Sequence, residues 1–453
     1  MTIATRKLWQ DEVSPESLGQ RGGLAPTVVE DLPVVGDIED GEVFVIRNGE
    51  SRYLTHLFHK YAGKFIPNIP RWALRRFLFN RRGAIVLDPF VGSGTTLVEA
   101  ALHGQSGYGV DVDPLARLIS NVKTSIIPES RLRSLRAEVA AALAPKRNGS
   151  FRPGIPTLSH WFNDQAVADL SAIHDVVEEF ADQADVHDFL LVCFSSIIRR
   201  VSNADNQTMK TYVSHTNPIP KTPAAARPLF IETVHDYSDR LSKFQQLVPP
   251  GAKTKVLPAA EGRTLAALWE GEGLPPADLA ITSPPYIKSV DYIYNQMVEL
   301  FWIGDRWHLE TQEKQNNFKR RYIGNDRVSA NERKDLRAVG LEIADRYIRE
   351  VFERDEALAF VMWRYFTEMD MHFRAMRSIL RPGAHYVVVI GDSTLASVAV
   401  PTHSVLALLA ARNGFRVGRQ FAYEIRNKYM HFPRGGRGGV VLHDWIIDLI
   451  CDN

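Results

Sequence analysis

An apolar run, Ala84-Ile85-Val86-Leu87, opens directly into Asp88-Pro89-Phe90-Val91-Gly92-Ser93-Gly94-Thr95-Thr96, and the helix-forming stretch LVEAALHG follows, closed by Gly104. This is a strand, a tight glycine turn and a helix. A second strand, Gly107-Tyr108-Gly109-Val110, ends on Asp111-Val112-Asp113-Pro114 before LARLISNVKT resumes a helical pattern. Strands that alternate with helices build a doubly wound, mostly parallel sheet. With 453 residues, 45% hydrophobic and 24% charged, the chain has ample material for such a core, and a disordered, collagen-like or coiled-coil fold is excluded for its bulk.

The rest of the chain divides around this block. Residues 1–50 carry scattered Gly, Pro and acidic residues without a period and read as an N-terminal arm. Residues 51–125 form the ligand-binding half of the sheet domain, with a helix near 70–80 in which Pro70 sits close to the first turn. Over 126–250 strand signals nearly vanish, and four helical patterns predict an inserted helical subdomain. Residues 251–453 return to the sheet at Ala277-Asp278-Leu279-Ala280-Ile281, with an irregular insertion over 303–345, a long helix to about 380, a strand at 381–392 and a late hairpin over 417–450.

Gly92 and Gly94, at the end of the first strand, let the backbone approach a ligand closely, and in open α/β sheets ligands lie at that edge. A phosphate-binding loop needs Lys-Ser/Thr after its second glycine, whereas Thr95-Thr96 stand here, and a dinucleotide fingerprint needs a third glycine. A glycine pair alone also turns an empty corner; the acid at the end of the next strand sets this one apart. Asp111, and after it Asp113, is placed to accept hydrogen bonds from ribose hydroxyls. S-adenosylmethionine fits, because it carries a ribose, an adenine and an amino acid but no phosphate. Asp88 is then expected near its ammonium and Phe90 against its apolar parts.

Thr282-Ser283-Pro284-Pro285-Tyr286 directly follows the strand at 277–281 and lies at the same edge. Two prolines stiffen the backbone and remove two N–H donors, leaving carbonyl oxygens as acceptors. The exocyclic amino group of a base is a poor nucleophile until such acceptors engage its hydrogens. Ser283 and Pro284 are the expected acceptors, and Tyr286 the face on which an extruded base stacks.

DPFVGSGTT followed by TSPPY resembles the amino-methyltransferases of DNA, and the Ser-Pro-Pro-Tyr form is most similar to the cytosine-N4 members; adenine-N6 members more often begin that motif with an acid or Asn. Lys64-Phe65-Ile66-Pro67 resembles the segment that packs beside the cofactor in this family. The order here, with the cofactor half first, departs from many cytosine-N4 enzymes with similar turns, which bears on the subgroup and not on the reaction. The match covers roughly 55–125, 255–295 and 380–450. It implies a seven-stranded Rossmann-like methyltransferase sheet, S-adenosylmethionine as cofactor, and Ser283, Pro284, Pro285 and Tyr286 as the catalytic turn. Lys64, Phe65, Asp88, Phe90, Gly92, Gly94, Thr95, Asp111, Asp113 and Glu261 are the implied cofactor residues, Glu261 toward the adenine amino group. Cytosine-C5 chemistry needs a thiolate, and Cys193, inside the apolar run LLVCFSS, is a core residue.

A formal net charge of +1 leaves any basic surface local. Arg426, Lys428, Arg434 and Arg437 fall in one glycine-rich loop with Tyr429, His431 and Phe432, a mixture suited to phosphates and bases. Lys319, Arg320 and Arg321 form a second patch, and Lys210, Tyr212 and Lys221 a third. The expected partners are double-stranded DNA and a cognate restriction endonuclease, with no metal and no membrane, in the cytoplasm at the nucleoid. The alternatives are the same reaction on adenine N6 or RNA, a DNA-binding module without turnover, and a small-molecule methyltransferase.

Overall fold

The computed structural model describes residues 26–47, 53–143, 147–155, 157–205, 210–213, 225–261, 264–288, 291–326, 328–329, 331–425 and 441–452. In chain order its strands are β1 (Thr27–Val29), β2 (Val43–Ile46), β3 (Ile85–Asp88), β4 (Ser106–Gly109), β5 (Thr254–Val256), β6 (Ala277–Thr282), β7 (Leu380–Gly391), β8 (Ser393–Leu395), β9 (Val398–Val400), β10 (Phe415–Glu424) and β11 (His443–Cys451). Nine of them form one sheet in the order β1-β2-β10-β11-β7-β6-β3-β4-β5, and β8 and β9 form a small separate hairpin.

Five adjacent strands, β5-β4-β3-β6-β7, run parallel. β11 runs antiparallel to both of its neighbours, β7 and β10, which makes the late hairpin part of the same sheet. Helices cover both faces, so the inner strands β3, β6 and the second half of β7 are buried almost continuously rather than alternating. Tyr386, Val388 and Ile390 of β7 pack with the long helix Glu356–Ile379, while Val387 and Val389 pack on the opposite face with the helix Asn68–Phe77. From β3 the chain goes to β4 on one side, and its later return places β6 on the other. That reversal opens a crevice beyond the carboxyl ends of β3 and β6.

Seven strands make the expected sheet, and the N-terminal arm extends it by two. β2 pairs parallel with β10 and β1 with β2. The arm also holds the helix Asn68–Phe77, since the Pro33 carbonyl accepts from Trp72 Nε1 and those of Val34 and Gly36 accept from Arg76.

The inserted helices Glu129–Ala142, Asp164–Glu178, Ala184–Val201 and Ala226–Leu247 share one apolar core with the helix Pro114–Lys123 of the sheet domain. The helix Met297–Ile303, just after the proline turn, enters that same core. Its Trp302 is fully buried against the rings of Phe162 and Phe194. Truncating such a side chain costs about 3–5 kcal/mol, so the helical layer is anchored to both halves of the sheet domain rather than appended to one.

Candidate active site

The turn after β3 depends on its glycines for shape. Gly92 and Gly94 have φ of +47° and +82°, and a Cβ on Gly94 would lie 2.9 Å from Ser120 Oγ. Four amides of the turn are consumed internally. Phe90 N donates to Asp88 Oδ1 (3.1 Å), Val91 N to the Val110 carbonyl (2.9 Å), Gly92 N to Asp111 Oδ2 (2.9 Å) and Gly94 N to the Val91 carbonyl (2.8 Å). A phosphate cradle needs convergent free amides, so this turn suits a ligand without one. The helix Thr95–Leu102 that follows has no side-chain cap, and the buried Ser93 Oγ beside its start has no hydrogen-bond partner.

Three carboxylates that look alike in sequence occupy different positions. Asp111 lines the crevice, its oxygens holding Gly92 N and Asp113 N (both 2.9 Å) with lone pairs to spare. Burial, and then the neighbouring Asp113, raise its carboxyl to about 7. Asp113 turns inward and caps the helix Pro114–Lys123, accepting from Leu115 N and Ala116 N. Asp88 lies beneath the crevice, fully enclosed. Its Oδ2 accepts from Thr96 Oγ1 and its Oδ1 from Thr282 Oγ1, both at 2.6 Å, and burial raises it to about 6. The sequence reading set Asp88 at an ammonium and Asp113 at a ribose; the structure has both carboxylates engaged within the protein.

The crevice holds a cleft of about 700 Å³. Lys64, Phe65, Phe90, Gly92, Thr95 and Asp111 line it as one wall, Glu261 and Ser283 as the other. Gly94 acts one step behind, in helix packing. Lys64 Nζ donates to the His56 carbonyl (3.2 Å), and Glu261 faces Arg321 at 3.7 Å.

A second pocket, of about 490 Å³, adjoins the first, and Pro285, Tyr292, Tyr322 and Ile323 line both. Tyr286 lines only the second, while Pro284 is buried behind the turn. The Tyr286 hydroxyl donates to Asp444 Oδ1, and Tyr423 donates to Asp444 Oδ2 at 2.7 Å. Its ring lies against Gly391, where a Cβ would approach Tyr286 Cε2 to 2.7 Å. The tyrosine is therefore fixed to the sheet. Sequence reasoning missed Asp444, whose signal was an acid within the apolar strand VVLHDWIIDLI, and the tyrosine ladder Tyr61, Tyr292 and Tyr322. Those rings stack at centroid distances of 5.8 Å for each pair and come from three separate segments.

No family model matches this chain. It is similar to the Type II methyltransferase M.MvaI of Kocuria varians, with 22% identity over 401 residues, which is 84% of this chain and 87% of that protein. An 80-residue stretch is 41% identical to the Type II methyltransferase M.MjaII of Methanocaldococcus jannaschii, covering 18% of this chain and 15% of that one. Among solved structures it resembles the rRNA methyltransferase AviRa of Streptomyces viridochromogenes, at 11% identity and a TM-score of 0.30 over 89% of this chain and 96% of the other. The chain is thus similar to Type II DNA methyltransferases, to one of them along most of its length.

The cleft suits S-adenosylmethionine, the cofactor that the resemblance implies. The phosphate-free turn, the Asp111 lone pairs, and the unpartnered Ser93 Oγ beside an uncapped helix start match a ribose and an amino-acid carboxylate. Among the described residues no group of three His, Cys, Asp or Glu could hold a metal ion, and no helix is long and apolar enough to cross a membrane. Cys193 is fully buried.

Of the chain's basic patches, Arg426, Lys428, Arg434, Arg437 and Lys221 lie outside the described residues. Lys319 is buried and donates to Asp291 at 2.5 Å, Arg321 lines the cofactor cleft, and Arg320 is exposed. Lys319 and Arg321 thus belong to the walls of the two pockets. Lys210 follows the helical layer, its carbonyl accepting from Arg199 at 2.5 Å.

Proposed function

We propose that the protein transfers a methyl group from S-adenosylmethionine to an exocyclic amino group of a base in duplex DNA, the N4 of an extruded cytosine. The observation that carries this reading is the placement of the Ser283–Tyr286 turn between two pockets, with Ser283 on the first, Tyr286 on the second and Pro285 on both.

Bound S-adenosylmethionine supplies a methyl group on a sulfonium, already a strong electrophile. Asp111 accepts from the ribose hydroxyls, Glu261 from the adenine amino group, and Ser93 with the start of the helix Thr95–Leu102 holds the carboxylate end. Lys64, Phe65, Phe90 and Thr95 complete that wall. Asp88 acts through the two turns that it ties together. Where the two pockets meet, the Ser283 hydroxyl and the Pro284 carbonyl accept the two amino hydrogens, freeing the nitrogen lone pair to face the methyl group. Tyr286 supplies the ring against which the extruded base rests. Positioning of this kind is worth several kcal/mol of barrier.

Arg320 with Arg426, Lys428, Arg434 and Arg437 supplies the phosphate contacts, and a cognate restriction endonuclease at the nucleoid is the expected partner. Incubation with labelled S-adenosylmethionine and mixed-sequence duplex DNA, then nucleoside digestion and mass spectrometry, tests the reading. N4-methylcytosine is the expected product. N6-methyladenine would replace the target base, and unlabelled DNA would overturn the reading.

A further inference from the structure

The second pocket is lined by Pro285 and Tyr286 of the proline turn and also by residues from the segment 319–326, which belongs to the irregular insertion. That segment is seated directly on the turn. Gly324 has a φ of +78°, a Cβ on it would lie 2.9 Å from the Tyr286 carbonyl oxygen, and its own carbonyl accepts from Lys288 N at 3.1 Å. Residues 319–326 thus share the pocket with the turn, yet no step of the methyl transfer described above uses them.

The charged and amide side chains that line the pocket are Lys288, Asp291, Lys319, Asn325 and Asp326. Lys288, Asp291 and Asp326 are exposed. Asn325 is committed within the protein, its amide nitrogen donating to the Tyr322 carbonyl at 2.7 Å and its Oδ1 accepting from Arg364 at 2.9 Å. Lys319 differs from these four. It is about nine-tenths buried, and its ammonium donates to Asp291 Oδ2 at 2.5 Å and lies 5.7 Å from the centroid of the Tyr294 ring. Asp291 is itself fixed, because its Oδ1 caps the helix Tyr292–Asn295 by accepting from Tyr294 N at 2.9 Å. Since both partners line the pocket, the ion pair holds the ammonium at its wall. An ammonium has three N–H donors, and the Asp291 contact takes one. Lys319 lines the second pocket alone, so it stands away from the place where the two pockets meet.

We propose that Lys319 determines the choice of base, donating from its ammonium to O2 of the extruded cytosine; this rests on the proposed transfer to cytosine N4. With the amino group held between Ser283 and Pro284 where the pockets meet, cytosine turns N3 and then O2 into the second pocket, and both are acceptors. Adenine held by its amino group in the same way carries a C–H where cytosine has O2, and a C–H gives an ammonium nothing to bond. Bases out of the stack are read by hydrogen bonds to this edge. A site built to bond an acceptor rejects the analogue that lacks it, because the buried donor is then left unpaired.

The test is single-turnover methylation of mixed-sequence duplex DNA by the full chain, with N4-methylcytosine and N6-methyladenine counted by mass spectrometry after nucleoside digestion. The parent protein is compared with Lys319→Met, which keeps the stem and removes the donors, and with Lys319→Arg, which keeps donors. The parent should yield N4-methylcytosine in large excess. Lys319→Met should slow cytosine methylation about tenfold or more and lower the ratio of cytosine to adenine product by a similar factor, since adenine loses no bond. Lys319→Arg should recover part of that ratio. Unaltered S-adenosylmethionine affinity shows that both variants are folded. A purely structural role for Lys319 would slow both bases alike. A ratio that does not fall in Lys319→Met, beside a parent that makes N4-methylcytosine, overturns this inference and leaves the proposed function standing. A parent that makes N6-methyladenine, or no methylated base, overturns both.

Discussion

The turns after β3 and β6 sit side by side at the switch point of one sheet, yet they are built in opposite ways. The first uses glycines with positive φ and satisfies its own amides, one of them on Asp111. The second uses two prolines, has fewer amides to satisfy, and rests its tyrosine on Asp444 and Gly391. A glycine turn lets a ligand come close to the backbone; a proline turn offers stiff acceptors. Asp88 joins the two, with Thr96 behind the first turn on one oxygen and Thr282 at the root of the second on the other. Adjacent turns can therefore divide cofactor and base between them only while this joint holds their spacing.

The joint offers the largest effect. Asp88→Ala leaves two hydroxyls and the Phe90 amide without their acceptor, at about 1–3 kcal/mol each, so a fall in melting temperature should accompany loss of both cofactor binding and methyl transfer. A variant that melts normally and keeps either function would show that the turns are independent. Next in size is Gly391→Ala, which drives a methyl group toward Tyr286 Cε2 (2.7 Å) and Val441 Cγ1 (2.6 Å). Overpacking of this order costs about 1–3 kcal/mol, and turnover should drop with cofactor affinity retained. Asp444→Asn keeps the shape but weakens the hold on Tyr286 and Tyr423, and a roughly tenfold lower kcat with unchanged cofactor Kd is expected.

The smallest effect is a pH slope. Asp111 is raised to about 7, so its protonated form prevails below that pH and accepts poorly from ribose hydroxyls. Cofactor affinity should weaken by up to about tenfold per unit as pH falls below about 7. The slope should vanish in Asp111→Asn. A slope that survives the substitution would assign the titration to another group.

Both turns were legible in the sequence because each follows a short apolar run and is made of residues with strong backbone preferences. The roles of the acids were not. Asp88, Asp111 and Asp113 all follow strands, and what separates them is which amides and hydroxyls fold toward each one. β2 escaped notice since four residues in a polar arm form a strand only when β10, about 380 positions away, offers its edge. The shared core of the inserted helices and Met297–Ile303 is equally non-local: Trp302 reads as an ordinary aromatic until Phe162 and Phe194 close around it.

The division of labour between the turns is tested most directly by measuring cofactor Kd and single-turnover methylation rate side by side in Asp111→Asn and Tyr286→Ala. The account expects Asp111→Asn to raise Kd about tenfold or more while the rate at saturating cofactor stays near that of the parent protein, and Tyr286→Ala to lower the rate while Kd holds. If each substitution moved both quantities together, the two turns would form a single undivided site and the account would be contradicted.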